Sequence, residues 1–341
     1  MFEDFFNKYV KFKYITFTIV LLLFLFFVFN CKDIAIMFFA SFVIACSLNP
    51  IVDKLSERIP RHAAAVLVAA LSLLIILAIF VPVCIMSIEQ IKIFLHKLPH
   101  YLDNFDEYIL GLPILNHFGF LANDADDIME QLSLSSSDVL NKAMDAGKYI
   151  GSFIMYLLVS IIIVFNLITD KTKIKDYYLK SFPSNMRKKA DEVGKIIAEK
   201  MGGYVIALLA TTLSVGIVML IGLLIFRVPY AILLATITAA FDIIPVVGPA
   251  IALIICLLAT YDAGTGVVLA VIAVFAVAQF VENNIVRPYV FGKVMHVHPI
   301  IIFLFLFITA EYIGIIGVIF APAIAALFAV LFEELYLKKL D

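Results

Sequence analysis

Two long stretches of this sequence contain no charged residue at all. Ile15 to Asn30 form one of them, and Ala63 to Ser87 form another of 25 residues. About 20 apolar residues in a helix cross the ~30 Å hydrocarbon layer of a bilayer, so such runs predict membrane spans. Only 15% of the 341 residues are charged, against about 25% in soluble domains. The sequence therefore predicts an all-α, polytopic transmembrane helical bundle, and it excludes a soluble enzyme, a secreted disulfide scaffold and a nucleic-acid-binding protein.

Hydropathy predicts about seven to eight spans, of which six are continuous and the others fall in two regions interrupted by proline and glycine. The continuous spans are 15–30, 34–49, 63–86, 149–168, 201–225 and 265–281, and the interrupted regions are 229–260 and 298–336. Several lysines precede the first span, as basic residues precede the apolar part of a signal peptide, but no small-residue cleavage site follows it. We therefore expect it to remain as a membrane helix.

The positions of Lys and Arg predict the orientation, because basic flanks stay in the cytoplasm. The segment 169–200 carries nine basic residues and 50–62 carries three, whereas 87–148 has four basic and ten acidic residues. This distribution places both termini in the cytoplasm and 87–148 outside. Three parts follow: N-terminal membrane helices over 1–86, an external amphipathic helical segment over 87–148, and a transport core over 149–341 with a basic cytoplasmic helix at 169–200.

The external segment has an apolar residue every three or four positions between Ile88 and Phe105, which is typical of an amphipathic helix. A second short helix is predicted near 138–148. The apolar stripe is suited to pack against neighbouring helices or a sister subunit, and a ligand site is the alternative.

The interrupted regions predict helical hairpins. Broken backbone at membrane depth is tolerated only where protein or a water-filled cavity surrounds it. The predicted helix breaks are Pro245, Gly248, Pro249, Gly314, Gly317 and Pro322. The two regions also resemble each other weakly, and paired broken segments of this kind indicate a transporter site near the membrane midplane.

Ionisable residues within spans are costly and by default indicate function. Three carboxylates meet this description, Asp242, Glu282 and Glu311, and polar residues surround the second of them. The candidate pathway residues are Asp242, Gln279, Glu282, Asn283, Asn284, Arg287 and Glu311. These groups could bind a cation, a proton or a polar solute. The alternative for Glu282 is an interfacial cap, in which it pairs with Arg287 while the asparagines bond to free backbone carbonyls.

No metal site or cofactor is expected. His296 and His298 are two residues apart, so they would not share a helix face, and the four cysteines are isolated from one another in apolar runs. The sequence has no Walker loop, nucleophile elbow or zincin motif, so neither ATP-driven transport nor catalysis is predicted.

Three segments resemble the signature motifs of the autoinducer-2 exporter family of permeases: Val228 to Pro249, Val281 to Pro299, and Gly314 to Pro322. The resemblance implies a homo-oligomeric secondary transporter of the bacterial inner membrane. Relatives in that family are associated with autoinducer-2 export or with sodium/proton antiport. Two departures from the family pattern occur, Ala207-Leu208 in place of Gly-Gln and Val246 in place of an aromatic residue. Both departures remove polar or aromatic side chains from a possible pathway, and they weaken the case for a sugar-like solute.

The sequence leaves three functions open. The first is a permease in the lipid bilayer that moves a small polar solute, such as autoinducer-2, or a monovalent cation, driven by an ion gradient. The second is sodium(lithium)/proton antiport by the same fold. The third is a non-transporting membrane assembly protein that uses its external helices to organise partners.

Overall fold

The computed structural model describes residues 30–75, 77–78, 90, 155–156, 158–245, 247–292 and 297–335. Within these ranges the chain forms helices and no strand. The helices are α1 (Lys32–Leu55), α2 (Arg61–Ile75), α3 (Leu158–Thr169), α4 (Lys171–Lys180), α5 (Arg187–Ile225), α6 (Ala231–Asp242), α7 (Val247–Thr260), α8 (Thr265–Val281), α9 (Arg287–Phe291), α10 (Pro299–Ile313) and α11 (Ile315–Leu335).

Four helical stretches in the described ranges are long and apolar enough to cross a membrane: Lys32–Leu55, Arg187–Ile225, Thr265–Phe291 and Ile315–Glu334. Shorter apolar helices lie between them. The all-α, polytopic fold predicted from the sequence is therefore confirmed. The predicted span 15–30 and the external segment 87–148 lie outside the described residues, apart from positions 30 and 90.

Both interrupted regions fold as helical hairpins, as predicted. Helices α6 and α7 have 12 and 14 residues, about 18 and 21 Å at 1.5 Å per residue, which is shorter than the ~30 Å hydrocarbon layer. The turn between them contains Pro245, and Gly248 and Pro249 lie in the first turn of α7. The hairpin is closed by backbone hydrogen bonds from Ile244 to Phe241 (2.9 Å) and from Gly248 to Ile244 (3.1 Å).

The second hairpin, α10–α11, turns at Gly314. Its φ of +81° lies in a region that L side chains rarely adopt, so glycine is required there. Gly317 lies in the first turn of α11, where a Cβ atom would be 2.7 Å from the Thr309 carbonyl oxygen. Pro322 lies further along α11, and the helix continues past it. The chain reversal in this region is therefore at Gly314.

Helix α5 is the centre of the described bundle and packs against α1, α6, α8 and α11. The backbones of α5 and α1 approach each other closely at Gly202. A Cβ atom added to Gly202 would lie only 2.7 Å from the Cys46 carbonyl oxygen. Further along, buried residues of α5, α6, α7 and α8 form one apolar core, which includes Val215, Met219, Leu234 and Cys256. Helices α6 and α8 pack on α5, and α7 packs on α6 and α8.

A buried tyrosine connects α5 to α11. Tyr204 is 1% exposed, and its hydroxyl donates a hydrogen bond to the Ile319 carbonyl oxygen. Ile319 is three residues before Pro322, whose missing N–H leaves the local helix ladder incomplete. The Tyr204 ring also packs near Phe291 and Phe320, with ring centroids 6.3 and 6.4 Å away. These contacts hold the proline-containing part of α11 against α5.

Ion pairs gather at one end of the bundle, which carries the basic segment. The segment 169–200 forms α4, a turn and the first part of α5, which runs without interruption into the predicted span 201–225. Lys175 of α4 pairs with Asp191 of α5 at 2.6 Å, and Lys189 of α5 pairs with the buried Glu334 of α11. These pairs tie three helices together where the chain leaves the apolar core.

A second set of polar contacts at this end joins α1 to α2, α3 and α4. Asp53 pairs with Arg61 at 2.7 Å and with Lys171 at 2.5 Å. The Arg61 Nε–H also donates to the Ile168 carbonyl oxygen at 3.0 Å. The N-terminal helices are therefore fixed to the helix that leads into α4.

Candidate functional site

The helix that begins at Thr265 changes its geometry at Glu282. Residues Glu282–Val286 form one turn of π-helix before α9 begins at Arg287. The Arg287 N–H donates to the Glu282 carbonyl, which is the five-residue bond of a π turn. Pro288 follows at once and has no N–H to continue an α-helical ladder. The irregular turn thus has a local cause in the sequence, and π turns of this kind occur frequently at functional sites.

The π turn brings the side chains of Glu282 and Arg287 together. In an α-helix, residues five apart do not face each other, since neighbours on one face are three or four apart. Here both the Nε–H (3.1 Å) and Nη2–H groups of Arg287 donate to Oε1 of Glu282. Glu282 is fully buried, whereas the Arg287 side chain is 45% exposed. Oε1 of Glu282 is therefore hydrogen-bonded away from water. Its partner, Arg287, also reaches the protein surface.

A second carboxylate reaches the same place from the first hairpin. Asp242 is the last residue of α6 and is 6% exposed. Its carboxyl lies in the electrostatic field of Glu282 and Arg287 and within reach of the Gln279 amide. These four residues, Asp242, Gln279, Glu282 and Arg287, are called the acidic cluster below.

The acidic cluster contains polar atoms that the described protein leaves without a hydrogen bond. They are Oδ1 of Asp242, Nε2 of Gln279 and Oε2 of Glu282, all buried. In addition, the cluster has two carboxylates and one guanidinium, which bonds to Glu282, so the ionised cluster carries one uncompensated negative charge. Unpaired buried charge costs several kcal/mol. A proton or a small cation would remove this cost, so the cluster is chemically suited to bind one.

Three of the residues singled out from the sequence lie outside the cluster. Asn283 and Asn284 are exposed, and their Nδ2 groups donate to the carbonyl oxygens of Gln279 (2.9 Å) and Phe280 (3.0 Å). They thus satisfy backbone carbonyls beside the π turn. Glu311 is exposed near the end of α10.

The two hairpins therefore share an architecture but differ in their carboxylates, since Asp242 is buried and Glu311 is not. No group of three or more His, Cys, Asp and Glu side chains suited to a metal ion occurs in the described part of the chain. His296 and Val246 lie outside the described residues.

Sequence reasoning about single residues missed the π turn. Two signals point to it: the five-residue interval between Glu282 and Arg287, and the proline that follows directly. Sequence reasoning also missed Tyr204, whose role depends on contact with a residue 115 positions away.

Comparison with known proteins gives the family. Residues 15–337 match the AI-2E family of transporters. The chain is 24% identical to YrrI of Bacillus subtilis, covering 87% of this chain and 85% of YrrI. It is 24% identical to YueF of the same organism, covering 82% and 78%. A protein of Methanothermobacter thermautotrophicus is 23% identical, covering 78% and 77%.

All three relatives are named as transport proteins, and these names point to a transporter rather than an enzyme. The match spans nearly the whole chain, including both hairpins and the acidic cluster. The chain therefore belongs to the AI-2E family of membrane transporters.

Proposed function

We propose that this protein is an ion-coupled secondary transporter of the cytoplasmic membrane, that its solute is small and polar, such as autoinducer-2, and that the acidic cluster is its coupling site. The observation that carries the proposal is the burial of Glu282 in a π turn beside Asp242. Ionisable groups at membrane depth are costly and are kept where they act. Family membership favours transport over a purely structural role in membrane assembly.

The geometry suggests how ion binding and shape change are linked. Asp242 lies at the tip of the α6–α7 hairpin, and Glu282 lies on the adjacent helix. An ion or proton between the two carboxylates favours a closed tip, whereas the empty, negatively charged pair favours separation. A hairpin that moves in response to a bound ion is the element that alternating access requires.

The orientation in this proposal follows from the positions of the basic residues, and the assembly is the one that the family resemblance implies. The basic end, which carries α4, faces the cytoplasm together with both termini. The functional unit is a homo-oligomer.

Flux across sealed proteoliposomes tests the proposal. We expect the purified protein to move one or more members of a panel of small polyols and monovalent cations, and only when a proton or sodium gradient is imposed. Liposomes without protein give the background. If no solute or cation moves under either gradient, the proposed function is wrong.

A second candidate, exchange of a monovalent cation for a proton, is favoured by the charge count of the cluster. Arg287 balances one carboxylate, so the other can alternate between a proton and Na⁺ or Li⁺. For an antiporter, sodium added outside acidified vesicles releases protons in the absence of any organic solute. A solute permease releases protons only when its solute is also present.

A further inference from the structure

One hydroxyl on α5 is buried and has no hydrogen-bond partner among the described residues: Oγ1 of Thr212. Hydroxyl side chains within helices usually bond to a carbonyl three or four residues earlier. The neighbours of Thr212 do so, since Thr211 donates to Ala207 (3.1 Å) and Ser214 donates to Thr211 (2.7 Å). A hydroxyl buried without a partner costs about 1–3 kcal/mol. Thr212 therefore has bonding capacity that the described residues leave unused.

The packing of α5 on α6 places Thr212 level with Asp242. The two helices are antiparallel neighbours, and a Cβ atom on Gly216 would lie 3.1 Å from the Ala239 Cβ. Thr212 is four residues before Gly216, and Asp242 is three residues after Ala239. Because α-helices rise 1.5 Å per residue, these steps are about 6 and 4.5 Å in the same direction. Each step also keeps to the same helix face.

The packing of α5 on α8 places Glu282 at a height along the helix axis similar to that of Thr212. A Cβ atom on Gly222 would lie 2.5 Å from Cγ1 of Val274, and these helices are also antiparallel. Glu282 is eight residues beyond Val274, about 12 Å, while Thr212 is ten residues before Gly222, about 15 Å. The π turn that holds Glu282 packs directly against α5. Two independent contacts thus bring Thr212 to the level of both carboxylates.

We propose that the Thr212 hydroxyl is an oxygen ligand for a dehydrated monovalent cation, Na⁺ or Li⁺, held with Asp242 and Glu282. This rests on the proposed function and names the ion that couples it. Three buried oxygens have no hydrogen bond among the described residues: Oδ1 of Asp242, Oε2 of Glu282 and Oγ1 of Thr212. They supply the hard ligands that such cations prefer. With Arg287 and one cation present, the charge of the site is zero.

The fourth unpartnered group can join the same shell. The oxygen and nitrogen of an amide are exchanged by a half-turn of the side chain, so Gln279 can present Oε1 in place of Nε2. A proton bound by the carboxylates needs no such shell, because it is shared between two oxygens. Thr212 therefore distinguishes a metal cation from a proton as the ion in the site.

Binding of radioactive ²²Na⁺ to the purified full-length protein in detergent tests this proposal. We expect Thr212→Val, which keeps the shape and removes the oxygen, to raise the half-saturating sodium concentration about tenfold or more, as loss of a group in a metal's surroundings does. Thr212→Ser keeps the hydroxyl and should bind like the wild type. Thr211→Val is the matched control, because the Thr211 hydroxyl is already bonded to Ala207.

The outcomes separate this inference from the proposed function. If Thr212→Val binds sodium as the wild type does, Thr212 is not a ligand. This result would leave the proposed transport function unaffected. If the wild type transports a solute on a proton gradient but binds neither Na⁺ nor Li⁺, the cation site is wrong and the proton is the coupling ion. If the wild type shows no gradient-driven flux at all, the proposed function fails as well.

Discussion

Replacing Gly248 by alanine is expected to prevent the first hairpin from closing. A Cβ atom at this position would lie 1.8 Å from the Phe241 carbonyl oxygen, far inside van der Waals contact. The obstacle is backbone, so no side-chain rotation can relieve it, and α6 and α7 must separate. We expect a loss of about 3 kcal/mol or more in the free energy of unfolding, at the upper end for overpacked sites. Thermal unfolding and size-exclusion profiles in detergent measure the loss.

Gly266→Ala in α8 is the matched control for this variant. A Cβ atom at Gly266 would have nothing within 4 Å, and alanine is favoured over glycine in helices by about 1 kcal/mol. This variant should be as stable as the wild type or slightly more stable. Equal stability of Gly248→Ala and Gly266→Ala would contradict the tight turn that places Asp242 beside Glu282.

The second large effect is expected from Glu282→Gln. Glutamine has nearly the same shape and can still accept a hydrogen bond from Arg287, but it cannot ionise. Without the second carboxylate, Asp242 and Arg287 balance each other, and the cluster no longer has a charge to neutralise by binding an ion. Gradient-driven flux in proteoliposomes should fall to the level of liposomes without protein, while expression and assembly are retained.

Glu311→Gln is the control, because it makes the same chemical change at an exposed carboxylate in the α10–α11 hairpin. We expect it to retain most of the wild-type flux. Undiminished flux in Glu282→Gln would remove Glu282 from the mechanism. Equal loss in both variants would mean that Glu311 and the acidic cluster serve one pathway, in conflict with the exposed position of Glu311.

Much of the fold could be predicted from the sequence because membrane burial acts on local composition. Runs without charge mark the long helices, and proline and glycine mark the hairpins, since each of these signals lies within some 20 consecutive residues. Even the reversal at Gly314 follows from residue type. The continuous helix through Pro322 shows the limit of such reasoning, because the effect of a proline depends on whether neighbours such as Tyr204 support the backbone around it.

The acidic cluster could be predicted only in part. Asp242 and Glu282 stood out because charge is rare in apolar segments, but their proximity depends on how α6 and α8 each pack on α5, which no local pattern encodes. Asn283 and Asn284 donate to backbone carbonyls, which is the arrangement that the sequence offered as the alternative to a role in the pathway. Thr212 gave no signal at all, since a threonine in an apolar helix usually bonds to its own backbone; only packing shows that this one does not.

The account depends most on one claim, that water and ions reach the acidic cluster within the helical bundle. Cysteine labelling tests it most directly. In a background with Cys31, Cys46, Cys84 and Cys256 replaced by alanine, a cysteine is placed at Gln279 in the cluster. As a control, a cysteine replaces Val271, which is 0% exposed in the apolar core of the same helix.

A charged, water-soluble thiol reagent reacts with the thiolate, which forms only where water is present. We predict that Gln279→Cys reacts at least roughly tenfold faster than Val271→Cys, and that Na⁺ or Li⁺ slows its reaction. Equal and negligible labelling of the two cysteines would show that the cluster is sealed in the bundle, and it would contradict the transport site proposed here.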